Sequence, residues 1–252
     1  MITVKSQSEL EVMALSGDVA ASALGVAKEI IKEGVTTDYI DKKIKEHIIQ
    51  RGGKPSFLGY RGFPKSSCIS VNDEVIHGIP GDRVIVEGDI VSVDVGVLYK
   101  GFHSDNAATF AVGQVSREKK KLLEVTALAL QEGISMAVEG MRIGDIGNAI
   151  QTFVESNGCS VVREFVGHGI GYELHEDPEV PNYGRPGRGQ RLSKGMTIAI
   201  EPMINLGARH VDVIENDWTV VTRDGSPSAH FEMTVAITES KAVILTDWGK
   251  YI

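Results

Sequence analysis

Five side chains with an affinity for cations, Asp94, Asp105, His168, Glu201 and Glu232, fall in the C-terminal two thirds of the chain, and three of them interrupt apolar, strand-like runs. An isolated carboxylate in a low-dielectric interior is costly or takes up a proton, whereas a divalent cation converts it into a ligand. The period-two pattern sharpens the point. In Val91-Ser92-Val93-Asp94-Val95-Gly96-Val97 the valines share one face, and Asp94 shares the other with Ser92 and Gly96. Ile198 and Ile200 likewise oppose Thr197, Ala199 and Glu201, while Phe231, Met233, Val235 and Ile237 oppose Glu232, Thr234 and Ala236. One such acid alone would read as facing solvent on a half-exposed antiparallel sheet. Three of them, accompanied by unusual histidine segments, point to a sheet with a core side and a reactive side.

Of seven histidines, His47 lies on a polar helix face, and His103, His210 and His230 sit beside turns or acids. These four read as surface or satisfied residues. His168 differs, because Gly167, Gly169 and Gly171 strip bulk from the backbone around it and predict a close approach to its ring. His175 follows seven residues later, and His77 belongs to the turn His77-Gly78-Ile79-Pro80-Gly81. Four carboxylates and one imidazole form a hard, oxygen-rich set too anionic for a single ion. Two divalent ions about 3.5–4 Å apart, bridged by carboxylates, would neutralise it. Mn, Fe, Co and Zn all suit such ligands. Hydrolysis is the reaction class that follows: a bridging hydroxide attacks a polarised carbonyl, and histidines outside the ligand set stabilise the oxyanion and assist proton transfer.

The elements that must hold these residues read as helices over 8–33 and 37–51, strands through 66–110, helices over 116–139 and 143–157, and strands through 160–246. Helices followed by runs of strands indicate α+β with a mainly antiparallel sheet. An offset of 106 aligns Gly34, Ile40, Ile44, Ile48 and Gly52 with Gly140, Ile146, Ile150, Val154 and Gly158; at 107, Gly88 and Asp94 align with Gly195 and Glu201. The chain therefore reads as a single catalytic domain, 1–252, made of two related halves, roughly 1–115 and 116–240. Equivalent strands would bring Asp94 and Glu201 together at a central site. The glycine-rich stretch Tyr183 to Gly189 is expected as a loop at its mouth.

A chain of 252 residues is long enough for an ample core. Two cysteines, Cys68 and Cys159, fit a reduced, cytoplasmic compartment. The N-terminus lacks a secretory pattern, and no apolar run is expected to approach a span of about 18 residues, so a soluble, unprocessed protein is expected. A net charge of -8 argues against a generally basic nucleic-acid surface. The lysine clusters Lys42, Lys43, Lys45 and Lys119 to Lys121 read as solvated helix faces.

The stretch from Phe165 through His168, His175 and Asn182-Tyr183, with acids spaced as Asp94, Asp105, Glu201 and Glu232, resembles the type I methionine aminopeptidases of the pita-bread fold, over essentially the whole chain. The resemblance implies that Asp94 holds one metal, Asp105 and Glu232 bridge both, and His168 and Glu201 complete the second. It also implies a water-activating role for Glu201 and substrate contacts from His77 and His175 near the scissile amide and carbonyl. The implied substrate is a nascent polypeptide beginning with methionine and a small second residue. Its methionine would enter an apolar pocket lined by Phe57, Tyr60, Phe63, Cys68 and Trp218, suited to a flexible thioether. Phe57 stands where the family often has cysteine, and Leu174 replaces a frequent aromatic, so the shape of the pocket departs from the pattern. The family further suggests a monomer that acts on chains emerging from the ribosome, with neither membrane nor specific DNA as partner.

Prolidases and proline-specific aminopeptidases share the same ligand logic, but generally carry an N-terminal domain for which this chain has no room before its first ligand strand. The type II methionine enzyme carries a helical insertion that the interval from His175 to Glu201 cannot accommodate. A non-catalytic binding protein on the same scaffold would have lost ligands, and all five are present.

Overall fold

The computed structural model describes residues 2–252. Each of the four long helices starts where a side chain takes over the work of a missing backbone partner. Ser6 and Glu9 form a capping box ahead of α1 (Gln7–Ile30), Thr36 accepts from Tyr39 N ahead of α2 (Thr37–Gln50), and Ser116 accepts from Lys119 N ahead of α3 (Arg117–Ser135). At α4 (Ile143–Ser156), Arg142 N donates to Asp145. Ile40, Ile44 and Ile48 of α2 and Ile146, Ile150 and Val154 of α4 are all fully buried. Both helices end at a glycine in the left-handed region, Gly52 with φ 79° and Gly158 with φ 75°. The aligned segments thus take the same local structure.

Two helices are shorter than their apolar periodicity suggests. α1 stops at Ile30 because Ile31 is extended and the chain turns through Gly34, while past α3 the backbone turns at Met136 and Val138 bridges Thr238. α1 also corrects the membrane expectation, since by length and composition it could cross a bilayer. Its buried residues are mostly alanine, glycine and serine, and they pack against the strands Ile90–Tyr99 and Phe102–Ala111.

Those strands belong to a nine-stranded sheet. Along its main path run Lys54–Pro55, Ile90–Tyr99, Phe102–Ala111, Glu232–Ala236, Thr197–Ile200, Gly167–Gly169 and Glu176–Val180; Cys68–Val71 joins Ile90–Tyr99, and Val243–Ile244 joins Glu232–Ala236. Every pairing in it is antiparallel, in agreement with the expected α+β class. Val91, Val93, Val95, Val97, Ile198, Ile200 and Val235 are fully buried in the same core as the isoleucines of α2 and α4. One face of the sheet is therefore closed by helices, and the opposite face is left for polar side chains.

Replacing Ile44 or Ile150 by alanine should cost about 2–5 kcal/mol of stability in urea unfolding, because each removes a fully buried branched side chain from a close-packed row. A loss below about 1 kcal/mol at either position would mean that these rows do not close the core.

Candidate metal centre

Strand register assembles the acids. Asp94 lies opposite Cys68 on one neighbouring strand and opposite Ala107 on the other, and Ala107 in turn lies opposite Glu232. Asp105 precedes Ala107 by two residues and so shares its face. Met233 pairs with Ile200, and this register continued by one residue sets Glu232 beside Glu201. The small Ala107 side chain leaves room for three acids around it. Thr234 secures the arrangement: its hydroxyl donates to Asp105 O at 2.8 Å and accepts from Asp105 N at 3.0 Å.

His168 enters from the strand Gly167–Gly169, which pairs with Thr197–Ile200 through Gly169 and Ile198. Its Nδ1 lies 2.9 Å from Gly169 O. A carbonyl can only accept, so the proton sits on Nδ1 and the Nε2 lone pair is free to bind a cation. That Nε2 is 3.8 Å from Glu201 Oε1. Donor atoms of Asp105, His168 and Glu232 all lie within 4.8 Å of one another.

The electrostatics of this cluster demand a positive charge. Among the described residues, the only ion-pair partners of the four acids are His168 and His230, both facing Glu201. Asp94 Oδ1, Asp105 Oδ1 and Glu232 Oε1 are buried without any hydrogen-bond partner. Desolvation, followed by the like charge of neighbouring carboxylates, pushes Asp94 and Glu232 well above the ordinary carboxylate range and Asp105 up to about 8. Desolvation also lifts Glu201 to about 7, and the nearby His168 partly opposes it. Orphaned anionic oxygens beside an imidazole lone pair are a donor set that fits hard or borderline divalent cations.

This cluster forms one wall of a cavity of about 130 Å³ that is also lined by Phe57, Tyr60, Phe63, Cys68, His77, His175 and Trp218, together with Arg61 and Leu174. The structure thus brings every site residue named from the sequence to one cavity. Phe63 packs edge-on against Trp218 with centroids 5.1 Å apart, and Phe57 approaches Gly96 so closely that a Cβ there would lie 2.6 Å from its ring. Tyr60 stacks on His175 at 5.2 Å, and His175 lies 4.1 Å from the His168 ring. Desolvation first, then the charge of His168, lowers His175 to about 3; desolvation brings His77 down to about 4. Both rings are neutral at physiological pH. His77 has φ 58°, a left-handed backbone that is rare outside glycine and concentrates at functional sites.

Four features differ from the sequence-based expectation. The glycines around His168 serve neighbouring groups rather than the ring, since a Cβ at Gly167 would fall 2.4 Å from Ala199 O, one at Gly169 2.1 Å from Asp177 O and one at Gly171 2.4 Å from Lys5 Nζ. The loop from Tyr183 to Gly189 does not line the cavity; it packs on the start of α4, where Gly187 N donates to Asp145. His230 is not a surface residue. It is 1% exposed, and its Nε2 lies 3.5 Å from Glu201 Oε2 with no hydrogen-bond partner. Its position two residues before Glu232 is the signal that could have drawn attention to it. Lys5 was equally silent in the sequence: its buried ammonium holds Ile170 O at 3.0 Å and Glu176 at 2.7 Å, also contacts Thr3, and so pins the segment that carries His168 and His175.

Residues 11–239 match the description of metallopeptidase family M24. The chain is 51% identical to a methionine aminopeptidase of Clostridium perfringens, with 98% of this chain and 99% of that protein covered. It is 49% identical to methionine aminopeptidase 1 of Bacillus subtilis over the same shares. The crystal structure of a methionine aminopeptidase from Thermotoga maritima superposes with a TM-score of 0.96 at 48% identity, covering 98% of this chain and 99% of that one. A prolidase from Pyrococcus furiosus has the same fold, with a TM-score of 0.76 at 24% identity, but this chain spans only 65% of its length.

The raised carboxylate values make stability depend on pH. A group whose folded pKa lies above its unfolded value contributes stability that is complete below the unfolded value and is lost as pH rises through the folded one. His77, His175 and His230 act in the opposite sense, but their contribution is complete above about 6.5. All four acids have folded values above their unfolded ones, so from pH 6.5 to 8 the folded chain binds more protons than the unfolded chain and stability falls as pH rises, with Asp105 and Glu201 titrating inside the interval. Protein held in chelator should melt at progressively lower temperature across this interval, and saturating Mn²⁺ should flatten the trend. A melting temperature that rises with pH in chelator would contradict the carboxylate assignment.

Proposed function

The chain belongs to metallopeptidase family M24, and we propose that it removes the N-terminal methionine from newly made polypeptides whose second residue is small. It has the pita-bread fold of that family and is a metal-dependent hydrolase. The observation that carries this reading is the convergence of orphaned carboxylate oxygens and the His168 lone pair on the wall of an aromatic cavity. Asp94, Asp105, His168, Glu201 and Glu232 would hold two divalent ions, with Asp105 and Glu232 shared between them. When bound, such ions acidify water towards neutral pH and polarise a carbonyl.

The remaining residues bind, orient and move protons. Phe57, Tyr60, Phe63, Cys68 and Trp218 give the cavity an apolar side, a surface suited to a thioether side chain and its sulfur–aromatic contacts. Leu174 also lines the cavity and packs in the same cluster as Phe57, Phe63 and Cys68. His175, held between Tyr60 and His168, is a neutral imidazole that donates to the oxygen of the scissile carbonyl as charge develops there. His77, fixed by its left-handed backbone, faces the scissile amide and orients it. Glu201 accepts the proton of the attacking water. Both cysteines are free, which supports a reduced, cytoplasmic setting.

A prolidase-type reading shares the acids, but the prolidase compared is only 24% identical to this chain, against 48% for the methionine aminopeptidase from Thermotoga maritima and 51% for that from Clostridium perfringens. The direct test is hydrolysis of Met-Ala peptides against Leu-Ala and Ala-Pro peptides, in chelator and then with Mn, Fe, Co or Zn restored. Methionine should be released only with metal, and cleavage before proline instead would overturn the proposal. Glu232→Gln should abolish most turnover, because it removes the negative charge and one of the two donor oxygens of a shared ligand; near-parental turnover with metal content verified would contradict the sharing. His175→Ala should lower kcat by about 10²–10³ and leave metal content intact, as expected for a lost oxyanion donor. Loss of metal in that variant would move His175 into the ligand set.

A further inference from the structure

His230 is a deeply buried titratable group beside the metal centre that the proposed chemistry leaves unused. It is 1% exposed, and its backbone is fixed on both sides by one residue: His230 N donates to Thr109 Oγ1 at 3.0 Å, and Thr109 Oγ1 donates to His230 O at 2.8 Å. Its Nε2 has no hydrogen-bond partner. Leaving a buried polar atom unmatched is destabilising, and such atoms in folded proteins generally mark a function.

The Glu201 carboxylate lies between two imidazoles. Oε1 faces His168 Nε2 at 3.8 Å, and Oε2 faces His230 Nε2 at 3.5 Å. The two rings are chemically different. His168 Nδ1–H donates a hydrogen bond to Gly169 O, and the ring therefore offers Glu201 only a lone pair. Two acceptors facing each other leave room for a cation between them. His230 has no such commitment, and its Nε2 is free to carry a proton toward Oε2. We infer that His230 is a positioning residue for Glu201: its Nε2–H holds Oε2 and so reserves Oε1 for the ion shared with His168.

An uncharged imidazole with its proton on Nε2 donates to Oε2 without adding a positive charge that would compete with the ion. Asn182, fully buried, fixes the other end of the same residue by donating from Nδ2 to Glu201 O at 2.9 Å. Glu201 is thus oriented at both its backbone and its carboxylate. Partners of this kind, which touch the ligand but not the metal, typically account for 10- to 100-fold in metal affinity.

This inference rests on the metal-centre reading above, and calorimetry separates the two. Chelator-stripped parent, His230→Leu and His230→Gln proteins are titrated with Mn²⁺, and the melting temperature of each is measured in chelator and in excess Mn²⁺. His230→Leu removes the donor at similar volume, and should weaken Mn²⁺ binding about 10- to 100-fold. In chelator it should melt no lower than the parent, since an unmatched polar atom has been removed. His230→Gln keeps a donor and should bind Mn²⁺ close to the parent affinity. Unaltered affinity in His230→Leu would overturn the inference while leaving the metal centre in place. So would an equal fall in melting temperature with and without Mn²⁺, or a His230→Gln protein as defective as His230→Leu. A parent protein that binds no Mn²⁺ would overturn the metal centre itself.

Discussion

Mutual repulsion among Asp94, Asp105, Glu201 and Glu232, on the wall of a partly desolvated cavity where no lysine or arginine pairs with them among the described residues, is the constraint around which this molecule is built. Charges a few ångströms apart interact far more strongly in a partly desolvated pocket than in bulk water. Arg61 lines the same cavity, but no lysine or arginine forms an ion pair with the four acids among the described residues. Some acids must therefore be protonated, or cations must enter. The raised values of all four acids express the first alternative, and the orphaned oxygens and the directed His168 lone pair favour the second.

Holding such a cluster requires a rigid support, and the antiparallel sheet provides it. Ala107 separates Asp94 from Glu232 in register, Thr234 clamps the backbone of Asp105, and the valines and isoleucines behind the acids are locked under α2 and α4. The two halves contribute comparably, each with an isoleucine-rich helix that ends on a left-handed glycine and a strand that carries an acid. The histidine segment is less regular and is tied down separately. Lys5 reaches from the N-terminal segment to Ile170 and Glu176, and His103 N donates to Gly171 O at 2.7 Å. Breaking a buried pair such as Lys5 with Glu176 typically costs about 3–5 kcal/mol, because the remaining charge is left uncompensated.

Much of this is legible in the sequence, and the legible part is periodic. Alternation in Val91 to Val97 gives both the core face and the exposed direction of Asp94, and the recurrence of Ile40, Ile44 and Ile48 as Ile146, Ile150 and Val154 gives the duplication. What periodicity cannot convey is which residue meets which across a long separation. His230 reads as an ordinary histidine until strand pairing brings it to Glu201, and Lys5 reads as a surface lysine until the segment near Glu176 folds over it. The glycines around His168 carry a correct alarm with the wrong object: Gly167 and Gly169 admit neighbouring backbone and Gly171 admits the Lys5 side chain. The loop from Tyr183 to Gly189 looks like an active-site flap by composition but is held against α4. Helix ends were also beyond reach, because apolar spacing continues past Ile30 and Ser135 while the backbone has already turned.

The most direct measurement is anomalous X-ray diffraction from crystals grown with Mn²⁺. Two anomalous peaks about 3.5–4 Å apart are expected. Both should lie within bonding distance of Asp105 and Glu232, with one also beside Asp94 and the other beside His168 and Glu201. Peaks confined to surface carboxylates, with Asp94, Asp105, Glu201 and Glu232 left unligated at saturating Mn²⁺, would contradict the central claim.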